Sequence, residues 1–381
     1  MVPTLGRGGA ERQAILTALA LRDNSVDVRV FVQSLPDALF RDGITGSLQL
    51  DMPPVSDSIA GQIIRLRRSV EEYRPDAVIT FLRGAVTRFA IVRATSRLAR
   101  SAAWIIAARG NLRLLHITQS PAVFAAYVLW LRAADRICVN SSDVAANLFA
   151  MDDTLASKVV VIPNVVLPFP VDALDARARV DAIVASSTKD GAPRRPIIGC
   201  LGSFQDERNY QLVADALPAV LRAKPGTHVI VVGRNTGPWI SSVAAAFRER
   251  LAKLGLGERV TIAGEIAGAR SLLAGFDVFA LPSKLEGSSN ALAEAMVAGV
   301  PTVTVPLASA VELVDGSAVT SRGFTPSSFA QAIVTALDTG DALRARAASR
   351  GKVLLEERSS VRVGERWASL VADAVTARRG L

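Results

Sequence analysis

At 381 residues the chain is long for a single core and suits two domains of ordinary size. Half of its residues are hydrophobic, 5% are aromatic, and 44 basic against 35 acidic side chains leave a net charge of +9. This composition excludes a disordered or low-complexity chain, and its charge favours anionic partners: nucleotides, phospholipid surfaces or nucleic acid. Nucleic acid is the weakest of these, because no zinc-finger spacing, aromatic ribonucleoprotein motif or basic tail is present. The opening residues lack the apolar run of a signal peptide. The most apolar window, residues 121–131, is shorter than the about 20 residues that span a bilayer. A cytoplasmic protein, at most peripheral on the inner face of the plasma membrane, is expected. Cys138 and Cys200 sit in separate apolar runs and read as buried thiols rather than a disulfide.

In chain order, the first half alternates strand-like and helix-like runs, the pattern of a parallel sheet covered on both faces. Strands are predicted over 26–33, 77–81, 103–107, 136–139 and 159–162, with helices over 59–73 and 87–98. A further strand should precede Gly8 and Gly9, yet only residues 1–4 stand ahead of the loop that opens at Leu5. The expectation is a clipped first strand, with the true start several codons upstream. Residues 169–195, polar and rich in alanine and charge, read as a linker that carries a helix. A second series then begins, with strands over 197–201, 228–232, 260–262 and 277–281. Helices over 210–222, 241–254, 269–274, 291–298, 326–337, 342–357 and 361–377 complete it. The domain reading is therefore 1–168 and 196–360, with a final helix over 361–381 packing back on the first domain.

Residues 277–302 organise the second half. Pro282 and Ser283 stop a short buried strand, residues 287–290 supply turn and helix-start chemistry, and Gly299 with Pro301 ends the helix that follows. A strand that feeds a loop and then a helix N-terminus makes an anion site, since free backbone N–H groups and the helix dipole point into the loop. Glu286 and Glu294 bracket that site, and side chains lean toward their helix N-terminus, so Glu294 can reach back over it. Carboxylates beside an anion site make sense for a ligand with both phosphates and hydroxyls, such as a nucleotide sugar. The plainer reading is a capped surface helix with two solvated glutamates.

The run Pro282-Ser283-x-x-Glu286-Gly287-x-x-Asn290-x-Leu292-x-Glu294-Ala295, closed by Gly299 and Pro301, resembles the donor-site signature of retaining glycosyltransferases of family 4. The resemblance covers nearly the whole chain and is strongest over 197–303. It implies the GT-B fold, an α/β architecture of two tandem Rossmann-like doubly wound domains facing an interdomain cleft. It implies catalytic roles for Glu286, Arg208 and Glu294, with Glu286 on sugar hydroxyls and Glu294 on the ribose. Gly287 belongs to the same donor loop, and Asn290 and Ala291 would offer backbone N–H groups to the diphosphate. Gly8 and Gly9, within Gly-Gly-Ala-Glu-Arg, resemble the turn that brings first-domain backbone to the donor. The loop 202–209 resembles the family's G-R-x-x-x-x-K-N segment but departs from it. Arg208 keeps a cation for phosphate oxygens, while Ser203 stands where an arginine is usual. Arg109 and Asn111 resemble an acceptor-side segment.

His116 reads as structural, and Asn140 and Asn164 as fold markers. Asp152-Asp153 lacks the context of a metal site. The resemblance further implies a nucleoside-diphosphate sugar, UDP-linked by preference, as co-substrate, with no cofactor and no obligatory metal. Glycan or lipid-linked glycan acceptors of bacterial envelope or exopolysaccharide assembly follow. Alternatives are a GT-B epimerase or phosphorylase and an inactive sugar-nucleotide-binding protein, the latter suggested by Ser203.

From residue 81 to 134 the chain holds eight arginines and no aspartate or glutamate, and within this span lies the apolar stretch 122–131 with Tyr127 and Trp130. Arg93, Arg97 and Arg100 are spaced to share one helical face. The pair of features suits docking on anionic lipid, and equally suits a solvated helix followed by a core helix.

Overall fold

The computed structural model describes residues 1–5, 8–34, 48–53, 58–110, 120–188, 191 and 195–380. Its contacts divide the chain into two units, Met1–Val165 with Glu357–Leu381, and Val166–Glu356.

The first unit carries a parallel sheet ordered β3 (Ala77–Phe81), β4 (Ala103–Ala108), β5 (Arg136–Val139) and β6 (Val159–Val161), and a parallel pair of β1 (Arg29–Phe31) and β2 (Gln49–Asp51). All six residues of β4 are buried, as expected of an interior parallel strand with both faces covered. Residues 1–3 lie between β1 and β3. Val2 bridges to Val32, the Met1 carbonyl accepts from the Phe81 N–H at 3.1 Å, and the Met1 ammonium donates to the Ile79 carbonyl at 2.9 Å. Burial lowers that ammonium from about 8 to about 5. A cavity of about 630 Å³ adjoins it, lined by Met1, Arg29, Tyr73, Ile79 and Val375 among others.

Helix α1 (Gly9–Asp23) begins directly after Gly8 and packs against the C-terminal helix Ser360–Arg379. At Gly364 the two backbones nearly touch, and a Cβ there would lie 2.8 Å from the Ala20 carbonyl oxygen, so only glycine fits. Three further helices follow: α2 (Ile59–Tyr73), α3 (Leu82–Thr95) and α4 (Arg97–Ser101). The predicted continuous helix over 87–98 is two helices. Ser96 leaves helical geometry and its hydroxyl caps α4 through the Ala99 N–H. The break also separates the arginines expected on one face. Arg93 turns inward, donating to the Ala102 carbonyl at 2.7 Å and pairing with Asp135 at 3.4 Å, while Arg97 and Arg100 stay exposed. Helices α5 (Pro121–Ala133) and α6 (Ser142–Met151) complete the unit.

The stretch 169–195 is more than a linker. Residues Ala173–Ala185 form helix α7, capped by the Asp172 carboxylate, with Ala176, Val180 and Val184 fully buried in the second unit. Its spacing of small and branched side chains lets it lie on the short helix Ala269–Gly275, where a Cβ on Gly275 would come within 2.5 Å of the Ala176 carbonyl oxygen. Polar composition hid the buried stripe.

The second unit is one six-stranded parallel sheet in the order β12, β11, β10, β7, β8, β9. The strands are β7 (Ile197–Leu201), β8 (His228–Val232), β9 (Val260–Gly264), β10 (Val278–Leu281), β11 (Thr302–Thr304) and β12 (Val319–Thr320). Side chains alternate between two apolar layers. Ile198, Cys200, Val229 and Val231 enter one, and Ile197, Ile230, Val232 and Phe279 the other. Burial on both sides explains why these strands read as near-continuous apolar runs. The chain winds outward from β7 in one direction and from β10 in the other, so their C-terminal loops part at a topological switch point, where open α/β sheets bind ligands. Both free cysteines are buried, Cys138 in β5 and Cys200 in β7.

Candidate functional site

Two loops leave the switch point side by side. The first, residues 202–209, runs from β7 through a single turn (Asp206–Arg208) into helix α8 (Tyr210–Ala223). Its backbone is set against the loop after β8, where a Cβ on Gly233 would fall 2.0 Å from the Gly202 carbonyl oxygen. Tyr210, buried, donates its hydroxyl to that same carbonyl at 2.8 Å. Past helix α9 (Ile240–Lys253), the second loop, residues 282–289, leads from β10 into helix α10 (Asn290–Val297). Ser289 caps α10 by accepting from the Leu292 N–H at 3.3 Å. Gly299, in the left-handed region at φ +65°, closes it, with Val300 N–H on the Ala295 carbonyl at 3.0 Å.

Four ties clamp one loop to the other. Lys284 N–H donates to the Glu207 carbonyl at 2.7 Å, and Asn209 Nδ2 to the Pro282 carbonyl at 3.1 Å. Lys284 Nζ lies 3.3 Å from Asp206, and Arg208 pairs directly with Glu286. The last pair is the most enclosed, with the Glu286 side chain 9% and the Arg208 side chain 25% exposed. Ser283, fully buried, donates to the same Glu286 oxygen at 3.0 Å, and Ser309 donates to the Glu286 carbonyl at 3.2 Å. Burial works against the Arg208 charge, but Glu286, together with Tyr210 and Glu207, outweighs it and raises the guanidinium's pKa. Arg208 Nε is buried without a hydrogen-bond partner among the described residues. Arg109 Nε is buried unpartnered as well, so it is the facing carboxylate, not the orphaned donor, that sets Arg208 apart.

Two family models account for most of the chain. Residues 7–167 match the model described as Glycosyltransferase Family 4, and residues 195–339 match Glycosyl transferases group 1. The chain belongs to glycosyltransferase family 4. Among curated proteins it is similar to a lipopolysaccharide core biosynthesis mannosyltransferase, LpsB, of Rhizobium meliloti. They are 30% identical over 155 residues, 41% of this chain and 44% of that protein, so the match spans less than half of the relative. Among solved structures it is similar to HepE of Anabaena in complex with UDP and glucose, at a TM-score of 0.80 and 18% identity, covering 97% of this chain and 99% of that one. The crystal structure of WaaG, a glycosyltransferase involved in lipopolysaccharide biosynthesis, aligns at a TM-score of 0.70 and 15% identity over 97% of this chain and 99% of that one. The fold is GT-B.

Within this family 4 chain the structure gathers Ser203, Arg208, Glu286, Gly287, Asn290, Ala291 and Glu294 on or beside the two clamped loops of the second unit. Gly8 and Gly9 start α1 in the first unit. Arg109 was expected on the acceptor side. Its guanidinium turns into the first unit, donating to the Ile162 carbonyl at 3.2 Å and to Asn164 Oδ1 at 3.3 Å. It lies 5.4 Å from the Phe81 ring centroid and 5.3 Å from that of Trp367. No carboxylate offsets its burial, which lowers its pKa. Asn111 and His116 lie outside the described residues. Asn140 Nδ2 donates to the Arg109 carbonyl at 3.4 Å, so Asn140 and Asn164 hold the end of β4 in place. Asp152 caps the turn at Thr154 and pairs with Arg132 at 2.6 Å. His228, in β8, faces the Thr261 hydroxyl at 2.8 Å.

Sequence reasoning passed over Ser283, Asn209 and Tyr210 as site residues. Ser283 and Asn209 stand at named positions of the quoted motifs, but the motifs assign them no role. The left-handed backbone of Asn209, φ +54°, is the signal that could have flagged it, since asparagine tolerates that region and carries a side-chain donor.

Proposed function

We propose that this protein is a retaining glycosyltransferase that takes a hexose-type sugar from a nucleoside-diphosphate sugar, UDP-linked by preference. The observation that carries this reading is the Arg208–Glu286 pair at the switch point, beside the N-terminus of α10. In the donor complex, phosphate oxygens accept from Arg208, whose Nε has no hydrogen-bond partner among the described residues, and from the backbone N–H groups of Asn290 and Ala291. Glu286, held by Ser283, accepts from sugar hydroxyls, and Glu294 from the ribose. Arg208 can serve carboxylate and phosphate together, because a guanidinium carries five donors in a fixed fork. The bond from the anomeric carbon to the phosphate oxygen breaks, and the bond to the acceptor oxygen forms on the same face. The acceptor proton passes to the departing phosphate oxygen, which needs neither a protein base nor a metal. Arg208 and the α10 N-terminus stabilise the charge that develops on the diphosphate.

The acceptor is a lipid-linked glycan or polysaccharide of the bacterial envelope, and the enzyme works in the cytoplasm at the inner membrane surface. Support comes from the names of its relatives, LpsB and WaaG, both tied to lipopolysaccharide, and from HepE solved with UDP and glucose. A panel of UDP-, GDP- and ADP-sugars, followed by nucleotide release, tests the donor class. Glu286→Gln is expected to bind the nucleotide but to lose about 10³-fold in turnover, since it weakens a charged contact tuned to the reacting sugar. Full turnover in that variant overturns the assignment. Ser203 supplies no cation where one is usual, which favours a second reading as a donor-binding protein without turnover. Binding of every active-family donor with no nucleotide release from the unmodified protein establishes that version.

A further inference from the structure

The two clamped loops are poor in positive charge for a site that holds a diphosphate. Residues 202–209 and 282–289 carry two cations, Arg208 and Lys284, against three carboxylates, Asp206, Glu207 and Glu286. Both cations are engaged, Arg208 with Glu286 and Lys284 with Asp206 at 3.3 Å. A departing diphosphate gains charge as its bond to the sugar breaks, and a site without net positive charge stabilises it weakly. Backbone N–H groups at the start of α10 offset part of that shortfall. Ser203 adds only a neutral hydroxyl.

A third loop, residues 233–239, leaves β8 at the same edge of the sheet and leads into α9. Strands β7 and β8 pair in register from Ile197 opposite His228 to Leu201 opposite Val232. The pairing runs on past both strands. Gly202 N–H donates to the Val232 carbonyl at 2.9 Å, and Phe204 N–H donates to the Arg234 carbonyl, also at 2.9 Å. Bonds from alternate residues are the pattern of a parallel ladder, and they carry the same register to Ser203 opposite Arg234. The two backbones are close there, since a Cβ on Gly233 would lie 3.0 Å from the Ser203 nitrogen. Neighbouring strands run about 4.8 Å apart, within the reach of an arginine side chain. On its other side the loop is tied to β9, with Gly233 N–H on the Gly264 carbonyl at 2.8 Å. Arg234 is exposed and is the one charged residue of 233–239. Its guanidinium makes no hydrogen bond or ion pair among the described residues.

We propose that Arg234 binds the diphosphate of the nucleotide sugar, supplying from the β8 loop the cation that Ser203 does not. Its planar fork offers paired N–H donors to phosphate oxygens, and its charge adds to that of Arg208, which Glu286 already offsets. This rests on the donor-site reading proposed above and names a further residue of that site. It also removes the ground for taking Ser203 as the mark of a protein without turnover.

Calorimetric titration of the full chain with UDP, GDP and ADP, and with the nucleoside of the tightest binder, tests it. Arg234→Ala is expected to weaken the diphosphate about thirtyfold, the scale of charge-assisted hydrogen bonds, and to leave the nucleoside within about twofold. Arg234→Lys should recover part of the loss, because the charge remains and the fork does not. Ser203→Arg in the Arg234→Ala background should restore most of it, since the cation returns at the register partner. Arg248→Ala, at an exposed arginine further along α9, should bind as the unmodified protein does. Circular dichroism melts should match for all of them. Unchanged diphosphate affinity in Arg234→Ala, an equal loss for diphosphate and nucleoside, or no recovery with Ser203→Arg overturns the role of Arg234. Failure of the unmodified protein to bind any of the three diphosphates overturns the donor site itself, and Arg234 with it. Nucleotide release is read in parallel: its absence from the unmodified protein, with diphosphate binding intact, counts against the transferase alone.

Discussion

Two arginines lie beyond the C-terminal ends of strands, Arg109 directly after β4 and Arg208 at the end of the loop that follows β7, and they do opposite things. Arg208, after β7, faces a carboxylate that raises its pKa. Arg109, after β4, is enclosed by a carbonyl, an asparagine and two aromatic rings, and burial lowers its pKa. A fixed cation beside an acceptor-only group is ready for a ligand that needs both. A cation packed between rings and carbonyls is part of the scaffold. A strand-end arginine therefore does not by itself mark a ligand site; the groups facing it decide.

The comparison can be broken from either side. The largest expected effect is at Arg208. Replacing it with Ala should lower turnover by 10² to 10³-fold, roughly the worth of one preorganised donor to a developing oxyanion, while Arg208→Lys recovers only part. Steady-state kinetics with a saturating acceptor reads this, and turnover within threefold of the unmodified enzyme would place Arg208 outside the chemistry. Next comes Arg109. Arg109→Ala should cost about 3 kcal/mol in urea unfolding, since it opens a hole between Phe81 and Trp367 and leaves polar partners unpaired. Arg109→Met keeps the volume and should keep turnover. If Arg109→Met folds as stably as the unmodified protein but loses turnover, Arg109 contacts substrate and the contrast fails.

The smallest effect concerns the far ends of the strands that carry the site. Asp277 sits at the foot of β10, where its carboxylate accepts from the Ile197 N–H at 2.7 Å, Arg177 at 2.9 Å and Arg195 at 3.2 Å. Burial pushes its pKa up, but those donors outweigh burial and hold it below the ordinary carboxylate value. A carboxylate depressed in the folded state contributes stability that is present above its unfolded pKa of about 4 and lost as pH falls through the lower folded value. Asp277→Asn should therefore lower the urea midpoint at pH 7, and the gap to the unmodified protein should narrow below about pH 4. A gap that does not change with pH would show that the carboxylate charge is not what pins the two strands.

Much of the second unit was legible in the chain. Four of its strands were placed within a residue or two, because apolar runs bounded by glycine, proline and polar turns leave few other readings. Pro282, Ser289 and Gly299 fixed where β10 stops and α10 begins and ends, and Glu286 fell in the loop between them. The break at Ser96 was not legible, since the residues on either side keep helical spacing and only the capping of α4 reveals it. A helix was expected within 169–195, but the packing of α7 into the second unit was not legible, because its few buried residues are small and scattered among charges.

The amino-acid order by itself determined the alternation of strands and helices, the loop chemistry around Glu286 and the identity of the family, because these rest on neighbours within a turn or two along the chain. Only the tertiary structure decided that Arg208 meets Glu286 across 78 positions, that Arg109 turns inward and that α5 shows its apolar face to solvent. Those outcomes depend on which distant groups share a side chain's surroundings, and local pattern carries no record of them.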